Sequence, residues 1–159
     1  DKPMILRPGY ITEAMLSEVV GAVNTDKTIL DSHSKEAPKA PGMKYRHYAP
    51  KGSLTIVEGD RDAVTSYINE QTLRLQTEGV KTGVIATDET KDSYLGDVIK
   101  SVGSRNDEET IARHLFRILR EFDDEEVQGI FSESFDSQGI GQAIMNRLLK
   151  AAGHHVIKV

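Results

Sequence analysis

From Leu54 onward the sequence alternates short apolar runs with longer segments of helical spacing, and that alternation leaves few folds open. Leu54-Thr-Ile-Val57 is β-branched and is closed by Glu58-Gly59-Asp60. Gly83-Val-Ile-Ala86, residues 97–102, Val127-Gln-Gly-Ile-Phe131 and residues 155–159 supply four more strand candidates. Between them, Val64, Ile68, Gln71 and Leu75 recur at helical spacing after an Asp60 or Gly59 start, and Gly79 ends the run. Ile111, Leu115, Ile118, Leu119 and Phe122 mark a second helix, opened by Asn106 with Glu109 three residues on as a capping box. Ile140, Ile144, Leu148 and Ala151 mark a third, stopped by Gly153. Residues 88–92 read as an acidic loop. Strands joined through helices pair in parallel, because a crossover of that length brings the chain back in the same direction. The expected fold over residues 53–159 is therefore α/β, an open, mostly parallel, Rossmann-like five-stranded sheet.

The chain before Leu54 has another character. Residues 2–6 read as a short strand stopped by Arg7-Pro8-Gly9. Thr12 reads as the N-cap of a helix running to about Val23, with Leu16, Val19, Val20 and Val23 as its apolar stripe. One strand and one helix have too little to pack against, so this piece is expected to be the edge of a further domain. Residues 24–36 are polar and without period, and read as loop.

Residues 37–50 then hold three of the chain's five prolines and two of its five tyrosines. Pro38, Pro41 and Pro50 fix φ and push Ala37, Ala40 and Ala49 toward extended backbone, so the stretch reads as a stiff connector. Met43, Tyr45, His47 and Tyr48 are unusual in a tether, and Lys39, Lys44, Arg46 and Lys51 concentrate positive charge there. Two readings stay open on residue chemistry: an ordinary interdomain tether, or a strap whose Tyr, Arg and His heads meet phosphate, carboxylate or nucleobase. Strand-like alternation pairs Tyr45 with His47 and Arg46 with Tyr48.

The formal net charge of −5 argues against a stand-alone nucleic-acid binder. With no cysteine, the chain has no disulfide, thiolate nucleophile or cysteine-based zinc site, which fits a cytoplasmic protein. No apolar run reaches membrane-spanning length. Gly139-Ile-Gly141 lacks the third glycine of a dinucleotide fingerprint and reads as helix punctuation. His154 and His155, adjacent on an expected strand, point to opposite faces and make a poor metal pair. The acids of residues 121–126 read as a solvated helix end.

Pro41-Gly-Met-Lys-Tyr-Arg-His-Tyr-Ala-Pro50 closely resembles the interdomain linker of long-form threonylcarbamoyl-AMP synthases, which join a YrdC-like catalytic domain to a smaller C-terminal domain. Ile5-Leu-Arg-Pro-Gly-Tyr-Ile-Thr12 is similar to the end of that catalytic domain, and Gly139-Ile-Gly-Gln-Ala-Ile-Met-Asn-Arg-Leu148 to the family's last-helix signature. The resemblance implies three parts: residues 1–30 as the end of the catalytic domain, 31–52 as linker and lid, and 53–159 as the C-terminal domain. It implies a parent enzyme that condenses L-threonine, bicarbonate and ATP into L-threonylcarbamoyl-AMP and pyrophosphate for tRNA modification. ATP is then a substrate, accompanied by magnesium. The partners are the catalytic domain and other tRNA-modification proteins, with no direct nucleic-acid contact and no membrane. Arg7, Tyr45, His47 and Arg46 are the implied ATP-binding residues; no catalytic or metal-binding residue is assigned. The family's upstream catalytic segments are not in this sequence, so this chain alone is expected to be inactive. The alternative is a non-catalytic Rossmann-like module with its own nucleotide or protein partner, held at strand ends near Gly59, Thr87, Gly103 and Ser132.

Overall fold

The computed structural model of the chain describes residues 2–29 and 49–159. Its N-terminal unit is small. Strand β1 (Met4–Ile5), helix α1 (Glu13–Val20) and strand β2 (Asn24–Thr25) form one crossover, with the two strands paired in parallel. Thr12 caps α1 as its spacing predicts, accepting from the Met15 N–H at 3.3 Å. The helix stops at Val20 rather than near Val23, because Gly21 turns the chain at φ 76°. Residues 24 and 25, read as loop from their polarity, are a strand: backbone ladder bonds set them beside β1, whatever their side chains. The apolar stripe on α1 stays largely open, since no α1 residue is buried and Val19 is 82% exposed.

The second unit carries β3 (Ser53–Glu58), α2 (Arg61–Thr77), β4 (Thr82–Ala86), β5 (Val98–Ser101), α3 (Glu108–Asp124), β6 (Gly129–Glu133), α4 (Ile140–Ala152) and β7 (Val156–Lys158). The five strands lie in the order β5-β4-β6-β3-β7, and every pairing is parallel. Helices cover both faces, so the central strands are apolar on both sides. Leu54, Ile56, Ile85 and Ile130 face α3 and α4, where they meet Ile111, Leu115, Ile118, Phe122, Ile144 and Leu148. Val57, Val84, Ala86 and Phe131 point the other way, toward Val64 and Ile68 of α2 and the ring of Tyr94. Each fully buried side chain of this size contributes about 1.5–3 kcal/mol.

Several boundaries differ from expectation for identifiable reasons. The cap of α3 is Asp107, not Asn106: its carboxylate accepts from the Thr110 N–H at 3.1 Å and from the Thr110 hydroxyl. Strand β6 starts two residues later than Val127, because Val127 is used to close α3, its N–H donating to the Phe122 carbonyl at 2.9 Å. The acids at the end of α3 are engaged rather than merely solvated. Lys100 pairs with Glu121 at 3.1 Å and Glu125 at 2.6 Å, and Asp123 accepts from the Lys51 N–H at 2.7 Å at the approach to β3. Gly153 ends α4 in the left-handed region, φ 59°, as predicted. The two units touch at α4, where the buried Asn146 amide donates to the Ile29 carbonyl at 2.7 Å.

Candidate functional site

The strand order decides where this sheet can hold a ligand. From β3 the chain passes through α2 to β4 and on to the β5 edge, while from β6 it passes through α4 to β7 at the opposite edge. Strands β3 and β6 are neighbours whose connections leave in opposite directions, and the crevice beyond their carboxyl ends is the site such sheets use. A crevice of about 360 Å³ opens there, lined by Val57, Gly59 and Arg61 from the β3–α2 side, Ser134 and Glu133 from β6, and side chains of the β4 and β5 loops.

Glu133 sits at its floor with its side chain 5% exposed. A charge buried that far needs partners. The Tyr94 hydroxyl donates to Oε1 at 2.6 Å, and the Arg105 guanidinium donates to Oε2 at 2.6 Å. Burial, and then the bond to Glu133, push the Tyr94 phenol pKa up. Arg105 also donates to the Ser134 carbonyl at 3.0 Å and stacks over the Phe135 ring, 5.0 Å from its centroid. On the facing wall, Arg61 donates to the Glu89 backbone carbonyl at 2.6 Å.

The Ser104 hydroxyl and the Arg105 backbone N–H both donate to the Glu89 carboxylate. The Ser104 bond first, and then the Arg105 N–H, bring its pKa from 4.5 down to about 2. A depressed carboxylate adds stability that is fully present above the unfolded-chain value and is lost as pH falls through the folded one. The window here is therefore about 4.5 down to 2. Following the Glu89 side-chain carboxyl by NMR should give a midpoint near 2, and Ser104→Ala should raise it. A wild-type midpoint above 4 would show that these bonds do not hold the carboxylate.

Of the four strand-end positions named from sequence, only Gly59 lines the crevice. A side chain there would collide with the Val159 carbonyl, so the glycine serves the passage of β7. Thr87 and Ser132 are buried beneath, bonded to Thr90 and to the Glu133 carbonyl, and Gly103 packs on Thr110. Sequence reading missed Arg61, Glu89, Tyr94, Arg105 and Glu133. Only Glu133 carried a local signal, a charge just after the apolar run of residues 127–131. At Gly139-Ile-Gly141 the punctuation reading matches the geometry: Gly139 takes φ 56°, and the Gly141 N–H donates to Glu108 at 3.2 Å. His155 Nδ1 hydrogen-bonds the Thr55 hydroxyl at 3.0 Å.

Among the ATP-binding candidates, Arg7 is exposed on the turn after β1. Its positive charge reaches Lys150 of α4, whose ammonium pKa is lowered first by burial and then by Arg7. Two cations, one from each unit, thus lie near one another. Tyr45, Arg46 and His47 fall outside the described residues, as does most of the linker.

Residues 11–153 match the family described as threonylcarbamoyl-AMP synthase, C-terminal domain. A threonylcarbamoyl-AMP synthase of Bacillus subtilis is 44% identical over 158 residues, covering 99% of this chain and 44% of the relative. A crystal structure of Pyrococcus abyssi Sua5 complexed with L-threonine superposes with a TM-score of 0.84 at 39% identity, covering 98% of this chain and 44% of that one. The C-terminal Sua5 domain of a Pyrococcus horikoshii protein superposes at 0.56 with 34% identity, covering 70% of this chain and all of that one. This chain spans less than half the length of these synthases, and it belongs to the threonylcarbamoyl-AMP synthase C-terminal domain family.

Proposed function

We propose that this chain acts as the C-terminal part of a cytoplasmic L-threonylcarbamoyladenylate synthase. Its parent joins L-threonine, bicarbonate and ATP into L-threonylcarbamoyl-AMP and pyrophosphate, and hands the product to other tRNA-modification proteins. The carrying observation is the match to synthases more than twice as long, across 99% of this chain. A physical observation supports it. Met4, Tyr10, Ile11, Met15, Val19 and Val20 are exposed together on the β1–α1 unit. An apolar face of that kind marks an interaction surface. In this reading it packs against the rest of the catalytic domain, residues 1–30 end that domain, residues 31–52 form the lid, and residues 53–159 form the accessory domain.

Arg7 stands on the rim in this arrangement, and a planar, permanently charged guanidinium suits an ATP phosphate. Tyr45 and His47 lean on the same nucleotide from the lid, with Arg46 the weaker contact. Among the described residues no group of three or more His, Asp or Glu could hold a metal ion. No helix among them is long and apolar enough to cross a membrane.

The test compares three proteins under saturating threonine and bicarbonate. This chain alone is expected to make no L-threonylcarbamoyl-AMP, the full-length protein to make it, and full-length Arg7→Ala to need about tenfold more ATP. Turnover by this chain alone would overturn the division of labour. An unchanged ATP requirement in Arg7→Ala would remove Arg7 from the site.

A further inference from the structure

We propose that the crevice at the ends of β3 and β6 binds a small zwitterion of the α-amino-acid class, with Arg61 taking its carboxylate and Glu89 its ammonium. The inference stands apart from the synthase assignment and rests on the charges that the crevice displays.

Of the four ionised groups lining it, two are committed to each other. Arg105 is used by Glu133, by the Ser134 carbonyl and by the Phe135 ring, and Glu133 is satisfied by Arg105 and Tyr94. These groups shape the floor. Arg61 is held in place by one bond, to the Glu89 backbone carbonyl, and among the described residues it has no carboxylate partner. Its remaining N–H donors form the planar fork that grips a carboxylate. Glu89 is fixed by Ser104 and Arg105, with Thr87 also bonding to it, and is kept ionised, so it offers an ammonium a fixed negative charge. The bond from Arg61 to the Glu89 backbone puts opposite charges on one wall, while the two side chains form no ion pair with each other. An α-amino acid carries its ammonium and carboxylate on one carbon and can bridge such a pair. The edge of Val64 gives the lining an apolar patch beside these charges. The volume lies at the small end of ligand sites, which run from about 300 to 1,000 Å³.

Nucleotides, the usual guests of this topology, fit less well. Phosphate binding draws on a free helix N-terminus. Here Asp60 caps α2 by accepting from the Asp62 N–H at 3.2 Å, and Asp62 adds a second carboxylate to that turn. A phosphate would also sit beside Glu89 and Glu133. A zwitterion brings a cation to meet that negative charge.

The experiment titrates the ¹⁵N-labelled chain with each standard L-amino acid, L-threonine first, and with AMP, following backbone amides. At least one amino acid should shift the amides of Gly59, Arg61 and Asn106, and its deaminated and decarboxylated analogues should each bind about tenfold more weakly. Arg61→Gln and Glu89→Gln should each weaken binding by about tenfold; Arg61→Gln should keep the wild-type melting temperature, whereas Glu89→Gln should lower it slightly, since that carboxylate holds Ser104 and Arg105, while leaving the folded amide spectrum in place. Three results overturn the proposal: no response at these amides to any amino acid at about 10 mM, equal binding by both variants, or tighter binding of AMP than of any amino acid. None of these bears on turnover by the full-length protein, so this proposal and the synthase reading fail separately.

Discussion

Phe122→Ala is expected to cost about 3–5 kcal/mol of unfolding free energy, the largest effect of any single substitution considered for this chain. Phe122 is completely buried near the end of α3, and its ring atoms Cδ1 and Cε1 approach Gly83 of β4. The glycine beneath shows how close that approach is. A Cβ added at Gly83 would stand 2.8 Å from Phe122 Cε1 and 2.8 Å from Val127 Cγ1. Truncating the ring removes its transfer energy and leaves a cavity between a helix and a central strand, both too rigid to close it. The same geometry predicts a coupling. Gly83→Ala in the wild-type protein overpacks the site and should cost about 1–3 kcal/mol. In the Phe122→Ala background the new methyl enters vacated space, relieved of the ring though still against Val127. The double-mutant cycle should therefore show a favourable interaction of at least about 0.5 kcal/mol. Urea unfolding of the four proteins measures it. Strict additivity would mean that α3 does not rest on β4 at this point.

Phe122 also illustrates what the sequence makes legible. The face Ile111, Leu115, Ile118, Leu119, Phe122 is an unbroken helical stripe, and all five side chains are buried. Local rules suffice there, because burial on one helix face is written at a fixed period. They fail where a residue's position depends on another part of the chain. Asn24 and Thr25 lie in a polar stretch with no apolar alternation, yet the Asn24 and Asp26 N–H groups, donating to the Pro3 and Ile5 carbonyls, place them in a ladder. Val127 looks like the first residue of a strand and instead closes the preceding helix. The crevice is the extreme case: Glu133 and Arg105 are 28 positions apart, and Tyr94 and Glu133 are 39 apart. They meet only because β6 inserts between β4 and β3, an order that no local pattern records. The linker is the reverse case, since its residues announce themselves by composition and by resemblance to a known linker, while Tyr45, Arg46 and His47 lie outside the described residues.

In the full-length enzyme, His47→Ala and Tyr45→Phe are each expected to raise the KM for ATP by about tenfold or more, while Lys39→Ala leaves it within about twofold. This prediction rests on the synthase reading and on the chemistry of residues 37–50. Prolines at 38, 41 and 50 favour extended backbone around them, and extended backbone sends alternate side chains to the same side. The expected alternation pairs Tyr45 with His47, and Arg46 with Tyr48. A phenol and an imidazole facing a nucleotide can each donate to phosphate or ribose, and losing a hydrogen bond to a charged group costs about 1.5–3 kcal/mol. Tyr45→Phe keeps the ring and removes only the hydroxyl, so an effect there separates hydrogen bonding from stacking. Lys39 precedes the Pro41-Gly42 turn and carries its charge on a long flexible stem, where an exposed ammonium contributes about 0–1 kcal/mol. Steady-state kinetics on the three variants distinguishes a lid from a tether. A tether has no reason to treat position 39 differently from 45 and 47, so equal, near-wild-type KM values for all three would leave the lid without support. A rise confined to His47→Ala and Tyr45→Phe would place one face of the strap on the nucleotide, and with Arg7→Ala would trace the ATP phosphates from the rim to the lid.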